Sequence, residues 1–87
     1  MQLDNTNNFL AILMFFTTAA MKSLGEIEDP ASGKKEVNLD EATYIISLLD
    51  TLKEKTKGNL TPEESENIEQ SLYILKQQFI NKSSLKR

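Results

Sequence analysis

Between Phe9 and Leu24 the chain reads FLAILMFFTTAAMKSL, a run in which Lys22 is the one charged position. Wound as a helix, it lines up Phe9, Leu13, Phe16, Ala20 and Leu24 on one face. Leu10, Met14 and Met21, with Ile12, Phe15 and Ala19, cover most of the rest. A surface helix normally hides one stripe and wets the other side. This one asks for cover on more than one side. Two later segments show the narrower, ordinary stripe. Leu39, Ala42, Ile45, Ile46, Leu49 and Leu52 recur at helical spacing, flanked by Tyr44 and Leu48. Ile68, Leu72, Leu75 and Phe79 do the same further on, widened by Tyr73, Ile74 and Ile80.

The borders of these segments carry their own signals. Asn5, Thr6, Asn7 or Asn8 can cap the first helix, and Gly25 suits the left-handed residue just past its end. Asn38 caps the second, with Asp40 and Glu41 at the positive end of the dipole and Glu41 where a capping box places its acid. Lys53, Lys55 and Lys57 fall in its last turns and Gly58 ends it. Thr61, Pro62 and Glu64 announce the third helix as cap, first helical residue and box acid. Its pattern decays after Asn81.

Gly58–Asn59–Leu60 is short enough to fold the second and third helices into an antiparallel hairpin, with Leu60 in the crease. The connection 25–38 is long, with a turn expected around Pro30 and Gly33 and with Ile27 and Val37 pinning it to the core. It is either a plain loop or a small ribbon pairing 26–28 with 35–37. The expected architecture is all-α, with three helices over about 7–24, 39–57 and 62–81. Helix 1 packs on the hairpin and also on another subunit. Residues 1–87 form a single helical domain, frayed over 1–7 and 82–87.

Composition sharpens the need for cover. At 87 residues a single core is only marginally stabilising. With no cysteine there is no disulfide to help, and with no histidine the commonest general base and metal ligand are missing. Oligomerisation is the remaining route to stability. A net charge of −3, with Arg87 the only arginine, disfavours nucleic acid as a partner. The stretch MQLDNTNN carries Asp4 and no cation, unlike a secretory leader, and the apolar run is shorter than the about 20 residues of a membrane span. A cytoplasmic protein with no membrane span is expected.

The strings LGEIEDPASGKKEVNLDEA (24–42) and LKEKTKGNLTPEE (52–64) resemble the signature of a small bacterial family, domain of unknown function 1844, over about Phe9 to Ile80. The resemblance implies a short, helical, cytoplasmic bacterial protein with no established activity. It brings no catalytic or binding residues with it.

Candidate chemistry is thin. Gly33–Lys34 lacks the glycine spacing, the following Ser or Thr and the preceding strand of a phosphate loop. Glu26, Glu28, Asp29 and Glu36 crowd one connection, yet calcium-loop spacing is absent and Lys34 and Lys35 stand nearby as partners. Glu63, Glu64, Glu66 and Glu69 cluster at the start of the third helix, where the dipole accounts for them. Tyr44 and Tyr73 sit at stripe margins and either face each other across the hairpin or line a pocket. No catalytic, cofactor-binding or metal-ligating residue is assigned.

The expected function is therefore non-enzymatic: self-association as a dimer or higher homo-oligomer, and contact with an unidentified protein partner. The expected interface is Phe9, Leu10, Leu13, Phe16, Ala20 and Met21. The alternative is a carrier of a small apolar ligand, held between helix 1 and the hairpin.

Overall fold

A computed structural model describes residues 5–85. Among the described residues the chain forms three helices: α1 (Asn5–Ser23), α2 (Leu39–Lys55) and α3 (Pro62–Leu85). Each packs against both of the others. The all-α reading holds, and the helix borders differ from expectation by small, explicable amounts.

α1 starts at Asn5, so Thr6, Asn7 and Asn8 lie inside the helix and its cap position falls outside the described residues. It ends at Ser23, and Gly25 takes the left-handed conformation with φ of 76°. α2 begins as the sequence predicts, with the Asn38 side chain accepting from the Glu41 N–H at 3.0 Å. It stops at Lys55 rather than 57: Thr56 leaves helical geometry, with φ of −97° and ψ of 2°, and the Lys57 N–H turns to the Glu54 carbonyl three residues back. α3 opens on the full capping box. The Thr61 N–H donates to Glu64 Oε1 at 2.8 Å, and the Glu64 N–H donates to Thr61 Oγ1 at 3.1 Å.

α3 then runs to Leu85, past the expected end at Asn81. Periodicity fades there, but a tertiary contact carries on: Lys82 Nζ lies 3.2 Å from the Glu26 carboxylate, beyond the end of α1. Glu26 finds this distant lysine rather than the nearby Lys34 or Lys35. Residues 1–4 and 86–87 of the expected frayed ends lie outside the described residues.

The hairpin is antiparallel. Asp50 pairs with Lys76 at 3.1 Å and Lys53 with Glu69 at 3.8 Å, so positions later in α2 meet positions earlier in α3. Leu60 lies half-buried against the core, as the crease requires.

The 25–38 connection is neither bare loop nor regular ribbon. Isolated antiparallel bridges join Leu24 to Val37 and Asp29 to Lys34. Between them Asp29 Oδ1 accepts the Ala31 N–H and the Asp29 carbonyl accepts from Gly33, which makes the turn at Pro30. Val37 pins the connection, whereas Ile27 is exposed.

The connection also fixes how α2 leaves α1. The Asn38 N–H donates to the Ser23 carbonyl at 2.7 Å. That takes the N–H which the Glu41 side chain of a capping box would have held. Glu41 instead accepts from the buried Ser23 hydroxyl at 2.7 Å, so a local cap has become a tertiary clamp. α1 therefore runs antiparallel to α2 and parallel to α3.

The core follows the three stripes. Leu13, Ala20 and Leu24 meet Ala42, Ile45, Ile46 and Leu49 from α2 and Ile68, Leu72 and Leu75 from α3. Leu24, Leu49, Ile68 and Leu75 are its largest fully buried side chains. The molecule is 45 × 26 × 16 Å, so no side chain of α1 is far from one broad surface.

Candidate functional site

Once the hairpin has taken its stripe of α1, an apolar face is left on the outside. Phe15 is 73% exposed, Met14 69% and Ile12 44%. The Phe15 ring stands edge-on to that of Phe16, centroids 5.8 Å apart, so its outward pose is propped by a half-buried neighbour. Beside it lies a shallow hollow lined by Ala11, Met14, Phe15, Thr18, Ala19 and Lys22. The face thus offers a large knob and a floor of small residues side by side. Its one charge is Lys22, near the end of the helix.

Of the expected interface residues, Leu13 and Ala20 are buried inside the subunit. Phe9, Leu10, Phe16 and Met21 are half-buried, packed against the same core from its edges. This placement has a simple cause: the most regular apolar spacing marks the stripe that meets the chain's own hairpin. The outward large apolar residues are Ile12, Met14 and Phe15, and the sequence did carry a pointer to Phe15. Lys22 marks the solvent side of α1, and Ala11, Phe15 and Thr18 share its side at helical spacing.

A cleft between α1 and α3, open to the surface, is lined by Leu10, Leu13, Met14, Thr17, Asn67 and Ser71 among others. The Thr17 hydroxyl is buried there without a hydrogen-bond partner. Leaving such a group unpaired costs about 1–3 kcal/mol. A second groove, between α2 and α3, is lined by Ile46, Phe79 and Ile80 under the Asp50–Lys76 pair. Tyr44 and Tyr73 are both exposed and line none of these grooves.

Three of the clustered acids do structural work. Glu64 is buried in its capping box, Glu69 pairs with Lys53, and Glu26 with Lys82. Among the described residues no group of three or more acidic, histidine or cysteine side chains is placed to hold a metal ion. Among them, too, no helix is long and apolar enough to cross a membrane.

No curated protein and no solved structure matches the chain. A family model described as Domain of unknown function (DUF1844) matches residues 6–81, which take in all of α2, most of α1 and α3, and both connections. With that match spanning nearly the whole chain, and with both signature strings lying on the clamp and caps that shape the fold, the chain belongs to the DUF1844 family.

Proposed function

We propose that this protein acts without enzymatic chemistry, by protein–protein contact, and that copies of it associate through the outer face of α1. The observation that carries this reading is the exposure of Phe15, with Met14 and Ile12 beside it on one helix. Burying a large apolar side chain is worth roughly 1.5–3 kcal/mol. Keeping Phe15 and Met14 wet therefore forgoes an amount comparable with the stability of a small domain, about 5 kcal/mol. The lack of histidine and cysteine supports the non-enzymatic part, since the side chains most used for proton transfer and covalent attack are missing.

Multi-angle light scattering over a dilution series tests the proposal. The expected mass is at least twice the 9.9 kDa of one chain. Phe15→Glu is expected to give a folded monomer, with its helical circular dichroism kept because the side chain is outside the core. A wild-type chain that stays monomeric at high micromolar concentration would sink the idea.

The second reading, carriage of a small apolar ligand, rests on the α1–α3 cleft and the unpaired Thr17 hydroxyl within it. A ligand with one polar atom would suit that lining. Native mass spectrometry of gently purified protein tests it: a bound small molecule lost in Thr17→Val supports the carrier, and a bare chain speaks against it.

A further inference from the structure

We propose that Glu41 is a two-position latch, and that the arm 27–37 opens from α1 while α2 keeps its first turn. With the arm closed, the Asn38 N–H donates to the Ser23 carbonyl at 2.7 Å, and the Ser23 hydroxyl donates to Glu41 Oε1 at 2.7 Å. These bonds and the bridge between Leu24 and Val37 fasten the returning end of the arm. Its outgoing end is held separately. The Gly25 and Glu26 N–H groups bond the Lys22 and Met21 carbonyls, and Glu26 pairs with Lys82. The tip is a turn closed on itself by the Asp29–Lys34 bridge, so the arm moves as one piece.

Both halves of the latch have a second partner within reach. Half of a capping box already stands at α2, where Asn38 Oδ1 accepts the Glu41 N–H at 3.0 Å. Asn38 and Glu41 have the spacing of Thr61 and Glu64, whose box is complete at the start of α3. Once the Asn38 N–H leaves the Ser23 carbonyl, a swing of the Glu41 side chain completes the same box. The Ser23 hydroxyl keeps the Ala19 carbonyl, 3.1 Å away. Opening therefore strands neither side chain, and a stranded partner is what makes a broken buried bond costly. Apolar packing adds little: residues 27–36 are exposed and Val37 is half-buried. Asp29 and Glu36 of the arm share a hollow with Glu41 in which Lys22 is the one cation, so the surplus of like charge favours release. Segments held this loosely open on their own, ahead of the core. Lifting the arm bares Leu24, fully buried while it is closed.

The chain contains no cysteine, so Val37→Cys supplies a single thiol whose alkylation by iodoacetamide reports the opening. Its protection is expected to be at least about tenfold weaker than that of the amides of Ile45, Ile46 and Leu49 against hydrogen exchange. Equal protection would mean that the arm opens only with the whole chain, and would overturn the latch. Adding Ser23→Ala removes the closed position. Alkylation should then quicken about tenfold, with exchange of the Glu41 and Ala42 amides unchanged because the box takes over. Unchanged alkylation, or faster exchange at those two amides, would refute it. Glu41→Ala removes both positions and is expected to speed exchange at Ala42 several-fold, which Glu41→Gln, still able to close a box, restores. If Glu41→Ala leaves Ala42 as protected as Ser23→Ala does, Glu41 has no second position. The amide comparisons use the cysteine-free chain, so they stand whatever Val37→Cys does to the arm.

Discussion

At the scale of single residues, the tightest constraint lies just after α1. Gly25 combines a φ of 76° with a neighbour so close that an added Cβ would stand 2.8 Å from Val37 Cγ2. Gly33 shares the positive φ, 69°, but has open space around it. The left-handed conformation costs a residue with a Cβ roughly 1–2 kcal/mol. Crowding of a packed side chain adds about 1–3 kcal/mol. Gly25→Ala is therefore expected to lower stability by about 2–5 kcal/mol and Gly33→Ala by about 1–2 kcal/mol. Urea unfolding of the two variants checks this, and equal losses would mean that Val37 moves aside freely. The caps at Asn38 and Thr61 were legible from sequence because a cap reaches only a few residues along its own chain. The Ser23–Glu41 clamp was not, because it joins residues that only the turn of the connection brings together.

At the scale of elements, the helix starts are held by local chemistry and one helix end by distant chemistry. Thr61 supplies both the backbone N–H and the hydroxyl of the box that opens α3. Replacing a capping Thr by Ala costs about 1 kcal/mol. Thr61→Ala should show that loss in thermal melts, while an unchanged midpoint would mean that Pro62 alone starts the helix. The end of α3 depends instead on Lys82 and Glu26, a partly shielded pair. Such a pair contributes little to global stability, yet it can hold a terminal turn. Lys82→Ala is expected to speed amide exchange several-fold after Asn81 and leave exchange of the core amides of α2 unchanged. Uniform acceleration along α3 would show that the pair supports more than its own turn.

At the scale of the whole molecule, α1 is divided between two tasks. Leu13, Ala20 and Leu24 close the core with the hairpin, and Ile12, Met14 and Phe15 face outward. A contact made by that outer face has an apolar centre, and Lys22 at its edge shares a hollow with Asp29, Glu36 and Glu41, so salt has little net charge to screen. Self-association is expected to hold within about threefold between low and physiological salt, and to tighten in sulfate, which favours apolar burial. Sedimentation velocity across a salt series measures this. A steep weakening with added sodium chloride would point to an ionic contact on another surface, such as the charged hairpin edge around Asp50, Lys53, Glu69 and Lys76.

The order of hydrophobic and capping residues determined that there would be three helices, where α2 and α3 begin, and that the second and third fold back on each other. Those features depend on interactions a few residues long, and such interactions are written in the spacing itself. Tertiary structure decided how much of α1 stays outside. A helix whose one charge is Lys22, near its end, carries a single pointer to a wet face, so its rotation is set by the shape of the hairpin it covers. That rotation buries Leu13 and Ala20, half-buries Phe16 and presents Phe15. Packing also decided the last turn of α3 and the partner of Glu41, because both depend on groups far apart in the chain.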